Sequence, residues 1–150
     1  MTDRPHWLPE RLIPFWDIDD ITALRVLAVA EAVGEPELGQ FAVCCVARTR
    51  ADLGLYGHRI PEVCLWPYQF SAYWADFEKR EADLDRALLS VNAYPIAQRV
   101  AVAVAGGAPD ITGGATHYFN PDVCQPHWGT RLQRTALIGH HVFGTLMGEE

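Results

Sequence analysis

The stretch "ITALRVLAVAEAVGEPELGQFAVCCVARTRADLG", residues 21 to 54, decides the fold. Leu24, Leu27 and Ala28 recur at helical spacing, and the next member of that series is position 31, a glutamate. Asp19 or Asp20 supplies a helix cap, and Gly34 with Pro36 ends the run. A second helix opens at Glu37, with Ala42, Val43, Val46 and Ala47 facing inward. Two helices joined by so short a turn form a tight pair, and the Glu31 carboxylate stands at its seam.

Working outward, residues 1 to 18 carry Pro5, Trp7, Pro9 and Trp16 without a clean period, which suggests an extended arm packed by its aromatics ahead of a single domain over 19–150. The segment "RIPEVCLWPYQFSAYWADF", broken by Pro61 and Pro67, reads as a short helix followed by an irregular loop, the kind of segment that often carries function. "DLDRALLSVNAYPIAQRVAVAVAGG" holds two more helices meeting near Pro95, the second closed by Gly106 and Gly107. That gives four main helices. Beyond the turn material "APDITGG", the β-forming "ATHYFN" reads as a strand with "RTALIG" as its antiparallel partner, before "HHVFGTLM" closes the chain. The fold class expected is α+β, mainly helical, with a small antiparallel β-element near the C-terminus.

At 150 residues the chain suits one domain, able to bury roughly 70% of the surface its unfolded form exposes. A composition of 49% hydrophobic and 21% charged residues is that of a packed globular protein. The net charge of -7, with no Lys/Arg run, argues against nucleic acid as a partner. No segment approaches 18 uninterrupted apolar residues, so membrane insertion is not expected, and the first twenty residues lack a basic region followed by an apolar one. Synthesis in the cytoplasm and a monomeric state are the expectations. Cys44, Cys45, Cys64 and Cys124 fit no thiol-redox spacing and read as free thiols.

A carboxylate on the apolar face of a helix is desolvated, which raises its pKa and lets it hold a proton near neutrality, as a general acid must. Spacing alone leaves open a plainer role, in which Glu31 reaches water at the helix end or pairs with Arg25, Arg48 or Arg50. In "ATHYFNP", alternation sends Thr116, Tyr118 and Asn120 to one side and His117 and Phe119 to the other, so one polar face can line a cleft. Asn120 also suits a turn before Pro121, and Phe70 suits a local core. Cys124 and His127, with His117, His140 and His141, superficially suggest zinc ligands, but no "CxxC" or "HExxH" accompanies them. No metal or other cofactor is expected.

The order Glu31, Gly34, Glu35, Gly39, Gln40, Ala42, Val43, Ala47 and Arg48, then "YQFSAY", "GGATHYFNP", Trp128 and "IGHHVF", resembles the SleB-type cell wall hydrolases, a family that includes spore cortex-lytic enzymes and related phage and prophage lysins. The likeness runs from about Leu24 to Phe143. It implies a compact lysozyme-like domain that acts on peptidoglycan glycan strands, cleaving the bond between N-acetylmuramic acid and N-acetylglucosamine as a lytic transglycosylase. Glu31, first acid of "EAVGE", matches the family's catalytic Glu, and Gln69, Ser71, Tyr118, Asn120, Trp128 and His141 match positions expected to bind substrate, with Glu35 in support. Val33 stands where relatives often carry Arg, and the Cys44–Cys45 pair is unusual for that helix. With no export signal read, action on the wall after release as a phage-type lysin, or from a virion, is the expected setting. The rival readings are a non-catalytic peptidoglycan-binding module and a zinc-dependent hydrolase of peptide stems.

Overall fold

Helix α1 (Asp20–Ala32) runs through the middle of the protein, and a computed structural model describes the chain over residues 3–146. The Asp19 side chain accepts from the Thr22 backbone N–H at 2.7 Å and so satisfies one of the donors a helix start leaves open. Nine of the thirteen residues of α1 are buried, from Ala23 to Ala30 and at Ala32. The single inward stripe expected from Leu24, Leu27 and Ala28 is therefore too narrow a description. A helix that is apolar all round must be enclosed, and α1 packs against α2 (Glu37–Leu53), α3 (Ile60–Leu65), α4 (Phe77–Leu89) and α5 (Pro95–Ala105). Full burial of Leu24 and Leu27 stabilises the fold by about 1.5–3 kcal/mol each.

Arginines close the helix ends that this packing buries. Arg80 of α4 donates to the carbonyls of Ala30 (2.9 Å) and Val29 (3.0 Å) in the last turn of α1. Arg25 of α1 donates to the Ala87 and Leu88 carbonyls at the end of α4 and to Gln98 of α5. Arg48 of α2 donates to the carbonyl of Val104 in the last turn of α5 and to that of Ala108 just past its end. These guanidiniums meet carbonyls at or just beyond helix C-termini, where the helix dipole also favours a cation.

The segment before α1 departs from the extended arm expected. Residues Glu10–Phe15 form a 3-10 turn, and Leu12, Phe15 and Trp16 are buried in the main core. A turn brings Leu12, Phe15 and Trp16 to one side, which an extended chain cannot do. Trp7 meets Trp16 and Trp66 edge-on.

Strand order is the second correction. The sheet comprises β1 (His117–Phe119), β2 (Leu132–Ile138) and β3 (His141–Leu146) in the order β1-β3-β2, all antiparallel. "ATHYFN" pairs with the final strand and not with "RTALIG", so β3 is central. Gly144 of β3 faces both His117 and Arg134, and a Cβ there would overlap the Gln133 carbonyl. The turn ahead of β1 is fixed by Asp110, whose carboxylate accepts from Thr112 N, Thr112 Oγ1 and Gly114 N at 2.7–2.8 Å. Phe143 seats one face of the sheet on Ala42 and Val46 of α2, while Phe119, Leu132, Val142 and Leu146 form a small core under Trp128 on the other. Met147 of "HHVFGTLM" and the rest of the tail lie outside the described residues.

Candidate active site

The last turn of α1 delivers Glu31 to the point where two cavities meet. One, of about 570 Å³, is lined by Glu31, Glu35, Arg80, Asn120, Trp128 and His141 among others. The other, of about 470 Å³, is lined by Glu31, Arg50, Tyr68, Gln69, His117 and Arg131 among others. Glu31, Tyr118 and Trp128 line both, so the two are arms of one cleft.

Tyr118 of β1 donates its hydroxyl to Glu31 Oε1 at 2.9 Å, across 87 residues of sequence. Glu31 itself is half-buried. Burial raises its pKa above the ordinary carboxylate value; the hydrogen bond from Tyr118 and the charges of Arg80 and Arg50 oppose that rise without cancelling it. Burial, together with the neighbouring Glu31 carboxylate, drives the Tyr118 phenol well above its usual range, so it remains a donor. The ion pairs considered for Glu31 do not form: Arg25 and Arg48 are spent on helix ends, and Arg50 donates its Nε to the Thr116 carbonyl at 2.7 Å.

Glu35, four residues on, sits in a different setting. Its Oε2 lies 2.8 Å from His140 Nδ1, its Oε1 lies 2.8 Å from His141 Nδ1, and the His140 backbone N–H donates to it at 3.3 Å. The His141 contact is a close ion-pair approach without hydrogen-bond alignment. Burial would raise the Glu35 pKa, but the His140 hydrogen bonds and both imidazoles outweigh it and leave the group lowered. Burial lowers His141 despite Glu35, while the Glu35 hydrogen bond raises the exposed His140. Gly39 and Gly139 make room for this carboxylate: a Cβ on either would press against the Glu35 side chain. The β2–β3 turn is thereby clamped to the α1–α2 turn. His141 in turn meets the Tyr118 ring edge-on at 5.2 Å, linking the clamp to the donor of Glu31.

The remaining residues singled out from sequence fall unevenly. Asn120 lines the larger arm and also accepts from Asp122 N at 2.9 Å, serving cleft and turn together. Gln69 lines the smaller arm, whereas Ser71 is exposed at the start of the 3-10 turn Ser71–Tyr73 and lines neither. Phe70 is buried in the main core and touches the cleft only as part of the smaller arm's wall. Trp128 packs on Phe119 and His117 while bordering both arms. Among the described residues, no group of three or more His, Cys, Asp or Glu side chains is placed to hold a metal ion.

Sequence reasoning considered His140 only as one of a superficial set of zinc ligands and Arg50 only as an ion-pair partner for Glu31, and gave Tyr68 no site role. His140 had a signal in hand, since it adjoins a residue already singled out. Tyr68 likewise adjoins Gln69, whereas the place of Arg50 beside β1 is visible only in the fold.

A family model described as Cell Wall Hydrolase matches residues 34–144, and the chain belongs to that family. The match takes in Glu35 and begins three residues beyond Glu31. The chain is 31% identical over 125 residues to the spore cortex-lytic enzymes of Halalkalibacterium halodurans and Oceanobacillus iheyensis, covering 83% of this chain and 34% and 41% of theirs. It thus spans less than half the length of these relatives. Among solved structures it is similar to the catalytic domain of the germination-specific lytic transglycosylase SleB from Bacillus anthracis, with TM-score 0.67 and 27% identity over 94% of this chain and 99% of that one. The catalytic domain of the Bacillus cereus SleB protein matches with the same TM-score and identity over 96% and 97%.

Proposed function

We propose that this protein degrades peptidoglycan by cleaving the glycosidic bond between N-acetylmuramic acid and N-acetylglucosamine as a lytic transglycosylase, with Glu31 as its one acid and base. The observation that carries this reading is the hydrogen bond from Tyr118 to a half-buried Glu31 whose pKa is raised, at the junction of the two cleft arms. Family membership and the likeness to SleB catalytic domains support it.

Protonated Glu31 gives its proton to the glycosidic oxygen as the bond from that oxygen to C1 of the muramyl residue breaks, releasing the glucosamine end with a hydroxyl. The resulting carboxylate then takes the proton from the muramyl C6 hydroxyl while O6 bonds to C1. A 1,6-anhydro sugar forms and Glu31 is protonated again, with no water consumed. An ordinary glycosidase needs a second carboxylate as nucleophile or as base for water. Here the attacking group belongs to the substrate, so proximity replaces it. Glu35, held between two histidines, has no call on it as a second catalytic acid.

Mass spectrometry of digested peptidoglycan tests the reaction. Muropeptides with anhydro ends, lighter by one water than hydrolysis products, are expected. Free stem peptides with intact glycan strands would sink the reading. Glu31→Gln is expected to abolish fragment release while retaining wall binding; undiminished release by that variant would remove Glu31 from the reaction.

A further inference from the structure

One wall of the smaller arm is a turn built against its own backbone preference. Residues 66–69 form a β-turn closed by the Gln69 N–H on the Trp66 carbonyl at 3.2 Å. Pro67 stands second in it and Tyr68 third, with φ of 63°. A positive φ at that third place is what glycine ordinarily supplies, since a Cβ there crowds the neighbouring backbone. Tyrosine gives up that ease and gains no burial in return, for Tyr68 is 81% exposed.

Tyr56, with φ of 64°, is the other non-glycine residue in left-handed conformation among the described residues, and it lines the same arm. Its conformation has a reason inside the protein: the Arg50 guanidinium lies over its ring at 4.9 Å, and its hydroxyl is 3.3 Å from His117 Nε2. The Tyr68 ring is instead held outward. It leans on Trp74, with ring centroids 4.9 Å apart and planes at 44°, and Trp74 is fixed by its indole N–H on the Leu65 carbonyl at 3.1 Å. Both sides of the turn are anchored as well, Trp66 meeting Trp7 edge-on and Phe70 lying in the main core. A single exposed aromatic ring is ordinary on a protein surface. One kept in an unfavourable backbone conformation by anchored neighbours, at the mouth of a cleft, is the pattern of a functional site.

The chemistry of the ligand follows from what an exposed ring can hold. In β-linked N-acetylglucosaminyl and N-acetylmuramyl residues the ring substituents stand equatorial, so each pyranose has two faces of axial C–H bonds. Such a face packs on an aromatic ring and takes apolar area on both partners out of water. Resting on the function proposed above, we propose that Tyr68 is a sugar-stacking platform at the mouth of the smaller arm, on which one pyranose of the glycan strand lies while Trp74 backs the ring. The face it grips is common to both sugars, so the contact holds the strand without choosing which sugar enters the arm. Its turn and Trp74 set the ring in advance, which leaves little ordering to be done on binding. The contact is the same before and during bond cleavage, so it lowers KM and leaves kcat to Glu31.

Steady-state kinetics on soluble glycan strands, with melting temperatures of the same variants, test the platform. Tyr68→Gly removes the ring and suits the positive φ, so its melting temperature is expected to lie within about 2 °C of wild type or above it. Its KM is expected to rise about threefold to tenfold, with kcat changed by less than about twofold. Tyr68→Asn, which also accepts positive φ, is expected to match it. Tyr68→Phe and Tyr68→Trp keep the ring and should hold KM within about twofold of wild type. An unchanged KM in Tyr68→Gly and Tyr68→Asn overturns the platform while leaving the function intact. So does an equal rise in Tyr68→Phe, which would make the hydroxyl the binding group, or a fall in kcat and melting temperature that matches the rise in KM, which would make Tyr68 a structural residue. Failure of the wild type to cut the strands would instead remove the function, and the platform with it.

Discussion

The last turn of α1 and the turn that follows it hold two carboxylates four residues apart, and the protein treats them oppositely. Glu31 is enclosed and meets one neutral donor, so its charged form is disfavoured. Glu35 is clasped by two imidazoles, so its charged form is favoured. Sequence proximity therefore says little about protonation. The partners that arrive from the far end of the chain decide it, and they divide the pair into one carboxyl fit to move a proton and one fit to hold a turn.

Glu31→Gln is the most severe way to sharpen this contrast. General acid–base catalysis contributes about 10²–10⁴-fold, so fragment release is expected to fall by roughly a thousandfold. Stability should move the other way. A carboxyl whose folded pKa is raised above its ordinary 4.5 contributes stability that is lost as pH rises through the raised value. The variant is thus expected to melt about 2–4 °C higher than wild type at pH 7, with the gap closing below pH 4.5. A lower melting temperature at pH 7 would break the comparison.

Tyr118→Phe comes next. Because the phenol hydrogen bond lowers the Glu31 pKa, its removal raises that pKa further, and the alkaline limb of the rate profile should shift to higher pH with about a tenfold loss of rate. A shift to lower pH would deny the donor role.

Glu35→Gln is expected to act on stability first, lowering the melting temperature by about 2–4 °C. Glu35 has a depressed pKa, so its contribution is present above 4.5 and lost as pH falls through the folded value. The raised His140 contributes below 6.5 and loses its effect as pH rises through its folded value. The penalty should therefore be greatest between pH 4.5 and 6.5. A penalty independent of pH would mean that packing, not charge, holds the clamp.

His140→Asn should give the smallest effect, a shallow loss confined to the acid side of the His140 titration and absent above it. A loss equal to that of Glu35→Gln would make the exposed imidazole the centre of the clamp and His141 incidental.

The difference between these two carboxylates also marks where the sequence was legible. Helix α1 and its end at Gly34 could be read because period and punctuation are local, and Tyr118 followed from alternation along a single strand. Strand order could not. Alternation assigns faces but not neighbours, and Gly144, which lets β3 take the centre, looks from sequence like an ordinary breaker. The clamp on Glu35 rests on contacts over long stretches of chain, which no window of residues contains. Ser71 shows the converse, since a motif match carries a residue's neighbourhood but not the direction its side chain takes.

Arg80 and Tyr118 reach Glu31's turn from 50 or 51 and 87 residues away, respectively. Helix α1 can wind as soon as it is synthesised, but its end lacks its guanidinium until α4 exists, and Tyr118 is held in place only when β3, the last of the described strands, pairs with β1. Contacts so distant in sequence form late, because the chain between them must first be ordered. On the ribosome the chain therefore carries its acid long before that acid is set. The geometry proposed for cutting is thus completed only after β1 and β3 have paired.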